Sequence, residues 1–223
     1  MAWRSFVASV LTSLLLTAVP AARQTADYPE LKPVDEAPQQ PDFFTFRAQL
    51  QAAVARHDTA AVIAVLNPGI RTSFGDGGGP AGFRKQWRPE AADSKLWDTL
   101  GRVLALGGSF QQDGSFVAPY TFSRWPDSLD SFEHVAIVGD RVSVRGAARA
   151  DAPVLTTLSF VIVPIGRDAR PAASRDDRWI AVRLKDGRVG YLSSQFARSP
   201  IDYRAIFAKT GERWQLMAFV AGD

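Results

Sequence analysis

The stretch RWIAVRLKDGRVGYLSSQF, residues 178–196, carries the most specific signal in the chain. Trp179, Ala181 and Arg183 alternate with Ile180, Val182 and Leu184, the period of a strand with one buried face. Asp186-Gly187 follows, and then a second run through Gly190-Tyr191-Leu192. An Asp-Gly pair between two alternating runs predicts a β-hairpin. The pair would sit at the centre of a type I′ turn, where both residues need positive φ. Gly190 marks a bulge or a close approach of another backbone, because it has no side chain to pack.

Working outward, the region from Phe132 onward has no helical period. Short β-branched runs recur between turn residues: Val142 and Val144 alternate, FVIVPI (160–165) is an almost unbroken apolar run, and RDARPAASRDD (167–177) is a charged loop. Such spacing predicts a small all-β barrel or sandwich. The C-terminal stretch predicts a further hairpin, turning at Thr210-Gly211. Trp214, Leu216, Ala218 and Val220 share one face of its second strand, and Met217 and Phe219 the other. A strand apolar on both faces is covered on both, so this hairpin packs on the fold.

The first half reads as helical. Phe43, Phe46, Leu50 and Val54 fall on one face of a helix over Asp42–Arg56, with Asp42 as N-cap. A second helix over Thr59–Leu66 ends at Asn67-Pro68-Gly69, and a short strand over 70–74 leads into the flexible loop GDGGGP (75–80). A short helix spans Phe83–Trp87. A longer one over Asp93–Gly108 buries Leu96, Leu100, Val103 and Leu104 and stops at Gly107-Gly108. A hairpin turns at Asp113-Gly114, and Pro119 makes its second arm a short or edge strand. The fold class expected is α+β, with five parts: a signal peptide (1–21), a Pro-rich linker (22–41), an N-terminal α/β domain (42–130), a β-barrel (131–199) and a C-terminal hairpin (200–223).

Residues 1–21 read as a secretory signal: Arg4, an apolar run from Phe6 to Ala18, then small residues, with cleavage near Ala21 or Ala22. The expected location is therefore periplasmic or secreted, with no membrane span after cleavage. The 223 residues carry no cysteine, so neither a disulfide framework nor a cysteine metal site is available. A formal charge of +3 without a Lys/Arg cluster argues against nucleic acid.

Together DRVSVRGAARADAPVLTTLSFVIVPI (140–165) and the opening stretch resemble a bacterial SH3 domain of the type found in exported cell-envelope proteins. The resemblance rests on Val142-Ser143-Val144-Arg145, Trp179 to Val182, Asp186-Gly187 with Gly190-Tyr191-Leu192, and Ser193-Ser194. The charged loop at 167–178 is longer than the family pattern. The resemblance implies an SH3-like barrel and, as partner, peptidoglycan, its stem peptide or an envelope protein. FRAQLQAAVARHDTAAVIAVLNPGIRTSFGDGG (46–78) and FAKTGERWQLMAFVAG (207–222) resemble the opening helices and closing strands of an NTF2-like fold, which implies a pocket.

No catalytic cluster emerges. His57 and His134 have no partner at metal-ligand spacing. Asp127 and Asp130 sit in a Pro-broken, Ser-rich loop, where turn formation explains them. GDGGGP lacks the Lys-Ser/Thr of a phosphate loop. The expectation is a non-enzymatic binding module without cofactor or metal. Its candidate ligand residues are Trp179 and Tyr191, whose rings can stack on a sugar or peptide, with Arg183 or Arg145 to meet a carboxylate. The alternative is that both rings close the barrel. Two other readings stay open: a pocket in the first domain lined by residues such as Phe46, Leu50, Trp87 and Phe116, serving a small ligand or an enzymatic reaction, and a structural partner in an envelope complex with contacts from APYTF (118–122) to RWPD (124–127).

Overall fold

A computed structural model of the chain describes residues 28–73, 78–166 and 178–222. The signal-like segment with its cleavage region, Phe74 with residues 75–77, and the charged loop at 167–177 lie outside the described residues. Helices and antiparallel sheets are both present, and the fold class is α+β.

The first lobe holds α1 (Pro41–Ala55), α2 (Thr59–Ala64), β1 (Leu66–Arg71), α3 (Gly79–Trp87), α4 (Leu96–Ala105), β2 (Ser109–Phe110), β3 (Phe116–Ala118) and α5 (Tyr120–Ser123). Its sheet is completed by the last two strands of the chain, β11 (Arg204–Thr210) and β12 (Arg213–Val220), in the order β1-β12-β11-β3-β2. β12 is an inner strand, parallel to β1 and antiparallel to β11. The C-terminal hairpin thus belongs to the first lobe's sheet. Phe43 of α1 lies at the middle of the core, with the rings of Phe110, Phe116, Phe207 and Trp214 between 4.4 and 5.7 Å from its own. Such aromatic clusters dominate burial energetics.

The second lobe runs β4 (His134–Ile137), β5 (Val142–Arg145), β6 (Val154–Leu158), β7 (Ile162–Pro164), β8 (Trp179–Arg183), β9 (Val189–Ser193) and β10 (Ala197–Arg198). Two sheets form, β10-β4-β7 and β6-β5-β9-β8. A bridge between Ile165 and Val182 and the bond from Gly166 N–H to Ala181 C=O join them. Val135, Ile137, Val142, Val144, Leu158, Val163, Val182 and Leu192 fill the space between. The alternation read from Trp179 to Leu184 is therefore the inside-outside alternation of this lobe.

Residues 28–36 run extended, as the proline content suggests, Ala37–Gln39 form a single 3-10 turn, and the segment is bound along both lobes. Leu31 N–H donates to Phe160 C=O and Ile162 N–H to Pro29 C=O on the second lobe. Gly108 N–H donates to Val34 C=O and Glu36 N–H to Gly108 C=O on the first. Asp35 receives a two-pronged bond from Arg47 of α1, at 2.7 and 2.6 Å. Leu31 joins Tyr120, Ala136 and Ile162 in a third core between the lobes, and burial there pushes the Tyr120 hydroxyl up to about 12.

Three local expectations change. Pro41 occupies the first helical position of α1 and Gln40 the cap, so Asp42 sits inside the first turn; proline suits that position because its missing N–H has no helical partner there. Helix α2 ends at Ala64, and Asn67-Pro68-Gly69 lie within β1. β3 is the short strand that Pro119 allowed, three residues flanked by β11 and β2. At the opening hairpin only Gly187 has positive φ, +83°. Gly187 N–H donates to Leu184 C=O and Leu184 N–H to Arg188 C=O, the pattern of a three-residue loop closed by a left-handed glycine. A shift of register between Ile206 and Phe207 also brings Phe219 to the face of Trp214 and Leu216, against their strict alternation.

Gly190 marks a close approach. A Cβ there would stand 2.4 Å from Val144 Cγ1. Gly190→Ala is expected to cost roughly 1–3 kcal/mol of stability, and less when Val144 is also replaced by Ala. Urea midpoints of both single variants and the double variant check this; strictly additive costs would show that the two positions do not meet. Asp35→Ala leaves the Arg47 guanidinium, 6% exposed, without its carboxylate. A loss of about 2–4 kcal/mol is expected in the same assay.

Candidate functional site

The outer face of the β6-β5-β9-β8 sheet carries the residues singled out from the opening stretch. Leu192 and Val182 point inward and are fully buried, so the register partners Tyr191 and Ala181 lie on the outer face. Trp179 stands opposite Ser193, and Arg145 opposite Tyr191. Neither Trp179 nor Tyr191 belongs to the apolar cluster inside the lobe.

A cleft of about 380 Å³ opens at one end of this face. Trp179, Ser193, Ser143, Arg145, Phe196, Gln195, Asp140 and Arg141 are among the residues that line it. Phe196 arrives on a single 3-10 turn, Ser194–Phe196, which follows β9 directly, and the residue is 39% exposed. Its carbonyl accepts from Val138 N–H, which fixes the turn against the end of β4. Arg141 is held with φ +48°. Its N–H donates to Ser159 Oγ at 2.7 Å, and the Ser159 hydroxyl donates to Asp140 Oδ1 at 2.7 Å. Arg145 Nη1 donates to Ala152 C=O at 2.8 Å, which anchors the guanidinium and leaves it further donors. Beside it Arg149 bonds to Asp151, holding that carboxyl below the ordinary carboxylate range. Two aromatic rings with two arginines can bind an apolar or sugar-like surface beside a carboxylate.

Of the four residues expected to bind ligand, Trp179 and Arg145 line the cleft. Tyr191 sits next to Arg145 on the same face, and Arg183 lies at the far end of β8, opposite Val189. Asp140, Arg141 and Phe196 were not legible as site residues: each lies outside the strand alternation, in a turn whose position depends on the closed lobe.

The other candidates fall elsewhere. Leu50, Trp87 and Phe116 lie in the packed core of the first lobe; Trp87 is 4.8 Å from Tyr203 and 5.0 Å from Phe219, ring to ring. Phe46 of that set lines a surface cleft of about 320 Å³ between α1, the end of α2 and β12. His57 stacks on Trp97 at 4.8 Å, His134 Nδ1 lies 3.0 Å from Asp130 C=O, and Asp130 accepts from Phe132 N–H as a turn residue. Among the described residues no group of three or more His, Asp or Glu could hold a metal, and no helix is long and apolar enough to cross a membrane.

Asp42 organises the rim of the cleft beside Phe46. Lys209 Nζ lies 2.5 Å from its carboxylate, and Trp214 Nε1–H donates to it at 3.1 Å. The Lys209 bond, aided by Trp214, holds the Asp42 carboxyl below the ordinary carboxylate range and raises Lys209. A depressed carboxylate contributes stability above its unfolded pKa and loses it as pH falls through the folded value. Lys209 contributes below the ordinary lysine pKa and loses its part as pH rises through its raised value. The Trp214 indole N–H resonance is expected to titrate in acid with a midpoint below that of a free aspartate, and Asp42→Asn to abolish the step. Compared with protein-family models, curated proteins and solved structures, the chain has no significant match.

Proposed function

We propose that this protein is a non-enzymatic, exported module that binds peptidoglycan, through its stem peptide, at the Trp179 cleft of the second lobe. The observation that carries this reading is the cleft itself: Trp179 and Phe196 offer apolar ring surface within one opening that also contains Arg141 and Arg145. Export is the reading of residues 1–21, and the ligand class follows from the resemblance of 140–165 and 178–196 to bacterial SH3 domains.

A stem peptide suits such an opening because it presents free carboxylates on a short chain attached to a sugar. Arginine is the side chain best matched to a carboxylate, with planar, paired donors. An aromatic wall accepts aliphatic or sugar C–H surface at small entropic cost, since its ring has few torsions to lose. Asp140, paired with Arg141 at 3.4 Å, would tune that arginine and repel a ligand with surplus negative charge.

The test is sedimentation of the purified protein with isolated cell wall at low salt. The protein is expected to pellet with the wall, Trp179→Ala to remain in the supernatant, and Arg145→Gln to weaken retention by about tenfold. Circular dichroism of each variant establishes that it is folded. No retention of the parent protein, or equal retention of folded Trp179→Ala, would count decisively against the reading.

A further inference from the structure

Another cavity lies where the lobes meet, away from the Trp179 cleft. It measures about 350 Å³ and is walled by Lys95, Asp98, Thr99 and Arg102 from the start and body of α4, and by Arg198, Asp202 and Tyr203 from β10 and the turn before β11. The cavity thus joins α4 of the first lobe to Arg198 of the second.

Arg198 is its unusual member. Its side chain is only 11% exposed. Nη2 donates to Tyr203 C=O at 2.6 Å, but Nε is buried without a hydrogen-bond partner. The nearest carboxylate oxygen, on Asp202, is 3.8 Å from Nε, an ion pair beyond hydrogen-bond length. Burial lowers the Arg198 guanidinium from its ordinary value; Asp202 pulls it back and Arg102 adds to the lowering. A guanidinium does not escape by losing its proton, so it is an under-compensated buried charge. Arg102, exposed on α4, faces the same space and has no ion pair among the described residues.

We propose that this cavity binds a small, singly charged carboxylate, seated between the guanidinium groups of Arg198 and Arg102. An oxyanion there would receive donors from both lobes and relieve the mutual repulsion of the two arginines. Asp98 and Asp202 set an upper limit on ligand charge: three cationic side chains face two acidic ones, a balance that suits one negative charge better than two. The Thr99 hydroxyl supplies a neutral donor. A bound carboxylate would tie α4 to the β10 segment and so stabilise the contact between lobes.

The experiment is a titration of the isotope-labelled protein with sodium acetate, followed by amide shifts, beside sodium chloride at equal ionic strength and sodium phosphate as a more highly charged oxyanion. Acetate is expected to give saturating shifts at Lys95, Thr99, Arg102, Arg198 and Tyr203. Arg102→Gln, an exposed change, should weaken the response about tenfold, whereas Lys85→Gln on α3 should leave it unaltered. A spectrum unchanged elsewhere shows that Arg102→Gln is folded. Shifts that fail to saturate, that chloride reproduces, or that persist in Arg102→Gln would overturn the proposal. Tighter binding of phosphate than of acetate would overturn the assignment to a singly charged carboxylate.

Discussion

The insertion of β12 inside the first lobe's sheet is the constraint on which the rest of the architecture depends. This strand lies between β1 and β11, and its inward residues Trp214, Leu216 and Phe219 form the wall against which α1 and α3 pack. The first lobe therefore stays incomplete until the last residues of the chain arrive, after the whole second lobe. Its sheet would otherwise end at β1 on one side and β3 on the other, with Phe43, Phe116 and Ile70 facing solvent. Such long sequence separation raises the entropic cost of closing the core. It also links the lobes, because the segment that carries β11 and β12 leaves the second lobe through β10.

The chain closes on itself a second time through residues 28–40. This segment is held by backbone hydrogen bonds to Phe160 and Ile162 on one side and to Gly108 on the other, and by the packing of Tyr28, Leu31 and Val34. Gly108 is glycine for a steric reason: a Cβ there would stand 2.2 Å from Val117 C=O. The Asp35–Arg47 pair completes the contact. Arg47 faces Phe116 as well, its guanidinium 5.8 Å from the ring centre. A buried arginine next to the main aromatic core is tolerated because its charge is met by a carboxylate from the docked segment.

The two polar clefts differ in how their charge is managed. Around Trp179, Arg145 is anchored by a backbone carbonyl and Arg141 is paired with Asp140, so the donors are oriented before any ligand arrives. At the junction of the lobes, Arg198 is oriented by Tyr203 but only loosely compensated by Asp202. The first arrangement depends on the closure of one small set of strands. The second depends on the relation between α4 and β10, and thus on the whole fold.

Period-two patterning from Trp179 to Leu184 was enough to identify β8, the hairpin with β9 and the inward set Ile180, Val182 and Leu184, because burial on one face is a local property of an alternating strand. Helix α4 was legible for the same reason, through Leu96, Leu100, Val103 and Leu104. The turn at Asp186-Gly187 was located correctly, but its type was not, since the same pair serves two hairpin geometries that differ in the residues around them. The bulge in β12 was hidden, because no residue type in the strand announces it.

By itself, the amino-acid sequence determined the α+β class and the places of the main helices and hairpins. These follow from interactions between near neighbours, which alternation, helical period and turn residues record. Only the tertiary structure decided that the C-terminal hairpin enters the first lobe's sheet, that residues 28–40 bind both lobes, and that Phe196, Arg141 and Arg198 face cavities. Those outcomes rest on contacts between segments far apart in the chain, where the partner of each backbone donor and each charge is set by packing.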